Sequence, residues 1–566
     1  MWVEEKKFIF GQDDLVEISS AFAYNLKSQK IHQLLVPGKD IALQRGLGTI
    51  VGVSPDKKYV YMPAYKEAGK SMRTNGRMVY SLVKADLTKY RRPGVVEKGH
   101  EDTVKYLVGR KGNVIAEYRF DDHQDRYSIV AYDKKKEREI YSYKAKLSEL
   151  SVVGITEDEE SLVISKYSDK TGYDSYHTMS LADGSITDHD VLHKNADVAR
   201  IYKDLNQHVF GIRYSGLFPS YHFFDETLNA RVQKITADFD GHSVFVSGFT
   251  PDKSHMIIYV EGSTAPGDYY VVKSDGSITF IMSARSNIAP EDVHPIATYK
   301  FTTSDGLTIP TILTIPKDHV ATMKNLPAIM LPHGGPESYD QVSFDYEAQA
   351  LANRGYLVIQ PNFRGSSGFG SDHRDAGHGE WGKKMQDDLS EALSSLVKRG
   401  LVDPDRVCIV GGSYGGYAAL AGGAFTPSLY KCVVSINGVS DLPKMISQEK
   451  SDHGRNSWIL DYWDMSMLNN DGGKKAMKAV SPARHAESFT APVLLIHGNK
   501  DKTVNFEQSK YMYKQLSKYG KSVELVKLKG EDHHLSKSET RLEALEALLA
   551  FVDTHIGQES INSEAK

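Results

Sequence analysis

A serine hydroxyl attacks a carbonyl only if a base takes its proton and the backbone holds it in the open. The stretch Gly411-Gly412-Ser413-Tyr414-Gly415 has the composition for the second task. Before it, Val407-Cys408-Ile409-Val410 reads as a short buried strand, and after it Ala418-Ala419-Leu420 opens a helix. Gly-x-Ser-x-Gly between a strand and a helix is the nucleophile-elbow pattern, a turn so tight that a Cβ would obstruct it. The five residues alone would equally suit a glycine-rich connecting loop; the flanking strand and helix favour the nucleophile. Two partners for Ser413 stand directly after other apolar runs. Asp501 ends His497-Gly498-Asn499-Lys500-Asp501 after the run Val493 to Ile496, and His533 lies in Gly530-Glu531-Asp532-His533-His534 after the run Val523 to Leu528. The chain order Ser, Asp, His is that of an α/β-hydrolase triad. Taken singly, Asp501 also suits the start of a helix over 506–513, and His534 competes with His533 on the same loop. The chemistry of such a set is acyl transfer. The imidazole takes the serine proton and returns it to the leaving group, the carboxylate fixes the imidazole, and backbone N–H groups receive the oxyanion. The N–H of Tyr414, next after the nucleophile, is one such donor.

These residues need a sheet that brings strand ends together. From about residue 289 the pattern alternates: strands at 296–301, 308–313, 328–331, 356–359, 407–410, 432–436, 493–496 and 523–526, with helices near 346–354, 386–399 and 538–555. Alternation of this kind predicts a mostly parallel, doubly wound sheet, with ligands beyond the carboxyl ends of its strands. Residues 289–566 are therefore expected to form an α/β-hydrolase domain.

Residues 1–288 read differently, as an all-β propeller. A polar turn followed by an alternating apolar strand recurs at Glu5-Lys6-Lys7, Asp56-Lys57-Lys58, Lys111-Gly112-Asn113, Asp158-Glu159-Glu160, Asn206-Gln207-His208 and Asp252-Lys253-Ser254, with steps of 55, 47, 48 and 46 residues from Asp56. A second series of turns, including Asp183-Gly184-Ser185 and Asp275-Gly276-Ser277, falls between them. Repeats of this length with several short strands suit propeller blades; a β-sandwich is the competing reading. Six blades are visible, and no long helical period. The first has almost no strand ahead of its turn, which suggests a chain beginning partway through a blade, with a seventh incomplete or closed from elsewhere.

Composition narrows the function classes. At 566 residues, 40% apolar and 25% charged, the chain is an ordinary globular protein of two or more domains. A formal charge of −4 gives no basic footprint for nucleic acid, and no apolar run is long enough to span a membrane. Cys408 and Cys432 fall in core-like strands and read as buried thiols rather than a disulfide. No ligand spacing predicts a metal, and no cofactor is expected. The N-terminus shows no signal segment, so the compartment expected on this sequence is cytoplasmic; a missing N-terminal segment would allow a periplasmic or secreted protein.

The motifs also resemble a known family. Gly411-Gly412-Ser413-Tyr414-Gly415-Gly416, His333-Gly334-Gly335-Pro336, Asn362-Phe363-Arg364-Gly365-Ser366-Ser367-Gly368-Phe369-Gly370, His497-Gly498-Asn499-Lys500-Asp501 and Glu531-Asp532-His533 are similar, in order, to the signatures of the prolyl oligopeptidase family of serine peptidases, S9. The acylaminoacyl-peptidase and dipeptidyl-peptidase branches are the most similar. The resemblance implies a propeller joined to a hydrolase, His533 rather than His534 as the base, and the N–H of Gly335 as a second oxyanion donor. It implies short peptides as substrates, and allows a homo-oligomer formed through the hydrolase domain. It also places Trp458, Tyr462 and Trp463 near the pocket for the residue before the scissile bond, which suggests an apolar preference there. Arg364 then either orders its loop or meets substrate. Two positions depart from the family: His534 where a glycine commonly follows the catalytic histidine, and one blade fewer than the usual seven. The glutamate pair that holds a free amino terminus in dipeptidyl-peptidases has no convincing counterpart. This places acylaminoacyl- or oligopeptidase activity ahead of dipeptidyl-peptidase or carboxylesterase activity, and a non-catalytic scaffold last.

Overall fold

The computed structural model describes the chain apart from residues 1, 11–13, 39–40, 45, 68–77, 134–135, 169, 190–195, 456, 470–471 and 558–566, with side chains described from residue 20 onward. Up to residue 283, six antiparallel sheets of three or four strands follow one another among the described residues. The repeat seen in the sequence is a turn with a chemical cause. In Ser54-Pro55-Asp56, Thr156-Glu157-Asp158 and Thr250-Pro251-Asp252 the hydroxyl donates to the aspartate two residues on, at 2.6, 2.6 and 2.7 Å. That carboxylate also accepts the N–H of Lys58, Glu160 or Ser254. Lys57, Glu159 and Lys253 between them turn left-handed, with φ of 56°, 61° and 58°. Side-chain oxygens that satisfy the local backbone let the chain reverse there without a ladder partner.

The sheets converge at one point. Gln207 Nε2 donates to the carbonyl of Val51 at 2.8 Å and lies 3.4 Å from that of Tyr106. The N–H of Ile155 donates to the carbonyl of Gln207 at 3.0 Å. Four sheets thus meet around one glutamine, as they do at the axis of a propeller.

Two expectations for this half are corrected. Glu5-Lys6-Lys7 is not a turn but lies inside the strand Trp2–Phe10, paired without a break to Asp14–Phe22, so the first sheet carries three strands. A helix, α1 (Glu226–Asp238), follows the strand Ser220–Phe223, although no helical period was read there. Asp225 caps it by accepting from Leu228 N, and Leu228, Val232 and Ile235 bury one face against Tyr221, Phe223 and Val244. Three buried apolar residues in thirteen are a thin stripe, easily lost among neighbouring strands.

The second half is one sheet of eight strands: β1 (Ile296–Thr302), β2 (Thr308–Thr314), β3 (Leu326–Met330), β4 (Leu357–Pro361), β5 (Val402–Gly412), β6 (Cys432–Ile436), β7 (Val493–Gly498) and β8 (Val523–Leu528). Their order is β1-β2-β4-β3-β5-β6-β7-β8, parallel from β4 onward and antiparallel at the β1 end. Helices α2 (Tyr346–Asn353), α3 (Lys384–Lys398), α4 (Tyr414–Phe425), α5 (Leu442–His453), α6 (Trp458–Leu468), α7 (Glu507–Lys518) and α8 (Ser538–Ile556) flank it. Alternate residues of β5 show the two-layered core. Val407 and Ile409 join Leu389, Leu396 and Leu420 on one face, and Cys408 and Val410 join Leu351, Leu548 and Val552 on the other.

The thiol reading of the two cysteines is also corrected. β5 and β6 pair in register at Cys408 and Cys432, whose Cα atoms lie 4.7 Å apart, and the sulfurs are joined in a disulfide. Cross-strand register of this kind depends on how two distant strands meet, which spacing along the chain does not carry. Among the described residues no helix is long and apolar enough to cross a membrane.

Candidate active site

The carboxyl ends of β5, β7 and β8 deliver the three side chains picked out above. Ser413 stands between β5 and α4 with φ 57° and ψ −117°, a left-handed corner that turns its hydroxyl out of the sheet. Glycines make that corner possible by close approach. A Cβ on Gly411 would lie 2.4 Å from the carbonyl of Gly415, and one on Gly415 would lie 2.1 Å from the carbonyl oxygen of Pro332.

His533 Nε2 lies 3.1 Å from Ser413 Oγ, and its Nδ1 lies 2.6 Å from Asp501 Oδ2. An ionised carboxylate only accepts, so Nδ1 carries the hydrogen and Nε2 presents its lone pair to the hydroxyl. Asp501 Oδ1 accepts the N–H groups of Thr503 and Val504, both at 2.8 Å. Burial alone would raise the pKa of Asp501. Hydrogen bonds from His497 and His533 outweigh it and hold the carboxyl below its ordinary range. His534 is exposed, donates its N–H to Asp532 and meets His533 edge-on at 5.5 Å. The structure therefore brings His533, and not His534, to Ser413.

Three further residues, none given a role from the sequence, fix this geometry. Asn437, left-handed at φ 48° just past β6, donates Nδ2 to the carbonyl of His533 and accepts the N–H of Gly498, each at 2.9 Å. It ties the histidine loop to the aspartate loop. Glu531, fully buried, accepts the N–H groups of Ser536 and Lys537 and the hydroxyl of Thr540, holding the histidine loop closed. His497 donates Nε2–H to the carbonyl of Val504 at 2.9 Å behind the aspartate. Asn437 had a readable signal, since it follows its strand as directly as the other three follow theirs.

On the other side of Ser413 lies the segment His333-Gly334-Gly335. A Cβ on Gly334 would sit 3.4 Å from Ser413 Cβ, so this loop lies against the nucleophile. His333 Nδ1 lies 2.7 Å from the carbonyl of Gly334, and Nε2 lies 2.9 Å from Ser366 Oγ. The carbonyl of Gly334 can only accept, so Nδ1 carries the hydrogen; the Ser366 hydroxyl that Nε2 faces also lies 2.7 Å from the carbonyl of Phe363. Burial pushes the His333 pKa down to about 4, and the ring stacks on Phe363 at 4.5 Å. It is a neutral brace for the loop. Tyr414 opens α4, where an N–H has no intrahelical acceptor, and Gly335, at φ 122°, is exposed beside it. These are the two N–H groups the sequence nominated for the oxyanion.

The remaining candidates are not brought to the triad. Arg364 is 4% exposed, and four of its five N–H donors go to Asp388 and Asp305 at 2.7 to 3.0 Å. The substrate-binding reading of Arg364 gives way to loop-ordering, because its guanidinium is already committed to two carboxylates. Trp458 is 57% exposed, at the mouth of a cleft shared with Phe120 and Lys146 of the propeller. Trp463 packs edge-on to Trp381, which packs in turn on Tyr414. Tyr462 lies beside Glu337; burial, with that negative charge, pushes its hydroxyl pKa well up. None of the three lines the cavity that adjoins Asp501, whose walls include Met445, Glu449, Thr503 and Val504.

Comparison with known proteins agrees with this architecture. Residues 342–559 match the prolyl oligopeptidase family, Peptidase_S9. Dipeptidyl aminopeptidase BIII of Pseudoxanthomonas mexicana is 33% identical over 330 residues, 56% of this chain and 46% of that protein. The acylamino-acid-releasing enzyme of Rattus norvegicus is 27% identical over 243 residues, 41% of this chain and 32% of that protein. The chain thus spans less than half the length of these relatives. Among solved structures, a puromycin-hydrolyzing peptidase of Mycobacterium tuberculosis superposes with a TM-score of 0.72 at 19% identity, covering 98% of this chain and 86% of that one. An acylaminoacyl peptidase of Pyrococcus horikoshii gives 0.69 at 17% identity, covering 95% and 85%. Both likenesses are of fold.

Proposed function

Since residues 342–559 belong to the prolyl oligopeptidase family, we propose that the chain is a serine peptidase that cleaves short peptides through an acyl-enzyme. The observation that carries the reading is the continuous chain Asp501 Oδ2, His533, Ser413 Oγ, with gaps of 2.6 and 3.1 Å. His533 Nε2 takes the proton as Ser413 Oγ bonds to the scissile carbonyl carbon. The oxyanion is received by the N–H groups of Tyr414 and Gly335, and His533 returns the proton to the leaving amine. Water then repeats the sequence and frees the acid. No metal or cofactor enters these steps. The propeller, assigned to residues 1–288, covers the hydrolase, assigned to 289–566, and limits access to flexible chains.

Within the family, acylaminoacyl- or oligopeptidase-like cleavage is the first reading. The second is dipeptidyl-peptidase activity, favoured by the likeness to dipeptidyl aminopeptidase BIII. A peptide library with free and acetylated amino termini, read by mass spectrometry, separates them. Release of dipeptides from free termini alone supports the second reading, and cleavage of blocked peptides the first. Ser413→Ala is expected to abolish both hydrolysis and labelling by a fluorophosphonate. Labelling that survives the substitution would overturn the assignment of the nucleophile.

A further inference from the structure

The propeller axis holds a cavity that none of the chemistry above uses. Three strands wall it: Thr103–Val108, Leu150–Ile155 and Val198–Lys203, each the edge strand of its sheet nearest the axis. Their far ends meet at Gln207, through Tyr106, Ile155 and the turn that follows Lys203. Their near ends face the hydrolase. Asp197, just before the third strand, accepts the N–H of Gly370 at 3.0 Å, and Lys146, a few residues before the second, reaches Asp461 at 3.0 Å. Glu101, just before the first, lines the cleft that holds Trp458. The cavity lies between these ends and measures about 360 Å³, within the usual range of roughly 300–1,000 Å³ for small-ligand pockets.

Its walls carry one sign of charge. Lys105, Arg200 and Lys203 line it together with Ser151 and Ser165, and among the described residues no carboxylate does. Acids outnumber bases in the chain, 73 to 69, so three cations here are a local placement and not a reflection of composition. Each of the three strands also breaks its ladder at this level, where the pairing skips Val104, Val153 and Ala199. Bulges of this kind re-aim the side chains beside them. Lys105 Nζ reaches the carbonyl of Val152, and Lys203 Nζ that of Val153 at 3.0 Å. Two ammonium groups from the flanking strands thus converge on successive carbonyls of the middle one. Lys105 is half-buried, and Lys203 is exposed to the channel. Burial pushes the Lys105 pKa down to about 8, with the charge of Lys203 adding to the effect, and the surrounding walls lower Lys203 as well. Among the described residues no carboxylate pairs with either lysine. An ammonium has three donors, and each spends one on its carbonyl. Tethering neighbouring strands explains those two bonds. It does not explain why two like charges are brought together among walls that offer no counter-charge, which is costly.

We propose that this cavity is an oxyanion-binding site, taking a carboxylate or phosphate group between Lys105 and Lys203. The anion accepts from the remaining donors of the two ammonium groups, the hydroxyls of Ser151 and Ser165 supply neutral donors beside them, and Arg200 adds a third positive charge to the wall. Two sources share that chemistry. One is a small free oxyanion. The other is the terminal carboxylate of a peptide that enters the channel from its hydrolase end. The site binds its anion whether or not Ser413 acts as a nucleophile, so it stands apart from the peptidase reading.

The test is calorimetric titration of the full chain at pH 7, carrying Ser413→Ala so that peptides survive. The probes are inorganic phosphate and acetylated alanine-glycine peptides of four to twelve residues, ending in a carboxylate or in an amide. Lys105→Met and Lys203→Met are each expected to weaken phosphate binding by about 10- to 100-fold, as loss of a charge-assisted hydrogen bond does. Lys234→Met, which removes an exposed charge on α1 outside the cavity, should leave it unchanged. Peptide acids that bind more tightly than their amides, with the advantage lost in Lys203→Met, identify a peptide terminus as the occupant. Acids and amides that bind alike, with phosphate binding dependent on Lys203, identify the free oxyanion. Thermal melts accompany each variant, because a lysine that only ties two strands lowers the melting temperature and leaves anion affinity as it was. Lys203 is exposed, so Lys203→Met decides the question where Lys105→Met does not fold. If neither phosphate nor the peptide acids bind, or if they bind Lys203→Met as tightly as Lys234→Met, the proposal is overturned and the peptidase reading is untouched.

Discussion

In the mechanism proposed above, Asp501 is the residue on which the proton chain turns, because it decides which nitrogen of His533 carries hydrogen. An asparagine there would present an N–H to Nδ1 and favour the tautomer in which Nε2 cannot accept from Ser413. Asp501→Asn is therefore expected to cost about 10⁴-fold in kcat, with KM changed little; steady-state kinetics on any good anilide measures it. The same substitution reports on stability. The folded-state pKa of Asp501 lies below its ordinary 3.8, so its contribution is fully present above that value and fades as pH falls through the lower one. Denaturant melts should show a shallower loss of stability below pH 4 in the variant than in the wild type. Ser413, Asp501 and His533 were readable because each directly follows an apolar run. The choice between His533 and His534 was not, since their neighbours in sequence are shared. What separates them is Asn437, 96 residues earlier, which holds the backbone of His533.

At the scale of elements, the loop that follows β4 is held by an ion pair buried beside the core. Asp388 is fully buried on α3, accepts from Arg364 at three donors, and lies 24 residues away in sequence. Removing one partner of such a pair strands the other charge, which typically costs about 3–5 kcal/mol. Arg364→Met should therefore destabilise the hydrolase half by about that amount, read as a lower denaturation midpoint at unchanged m-value, and Arg364→Met with Asp388→Leu should recover part of it. A substrate-binding arginine would behave otherwise, raising KM with stability unchanged. The sequence could place Arg364 on a loop but could not find Asp388 and Asp305, because a helix packing on a sheet brings them in. The same limit explains the missed Cys408–Cys432 bond. The strands of the hydrolase were legible to within two residues at each end, apart from the start of β5, for their apolar runs are continuous. The turn assigned to Glu5-Lys6-Lys7 failed because a polar triplet within a strand reads, in sequence, like a turn.

At the scale of the whole molecule, the propeller grips the hydrolase unevenly. On one side the segments after β3 and β4 are sewn to the blades. Gly370 N donates to Asp197 at 3.0 Å, Ser371 N to Gly172 O at 2.9 Å, Ser215 Oγ to Gly368 O at 2.8 Å, and Val342 N to Leu217 O at 2.8 Å. On another side Lys146 reaches Asp461 at 3.0 Å across the cleft of Phe120 and Trp458, with side chains 69% and 41% exposed. An exposed pair of this kind is worth about 1 kcal/mol at most, whereas backbone donors that lose the part-buried carboxylate of Asp197 are left unsatisfied at greater cost. The two seams should therefore answer differently to substitution. Asp197→Ala is expected to lower the melting temperature and to admit cleavage by an added protease between residues 283 and 296. Lys146→Ala should leave the melting temperature within a degree or two but raise kcat/KM for longer peptides relative to short ones, if the cleft is where chains enter. Hydrolysis of a length series from four to thirty residues, with melts of both variants, decides it. Equal length profiles for wild type and Lys146→Ala would move the entrance elsewhere, and rapid cutting of a folded protein by the wild type would remove the size filter altogether.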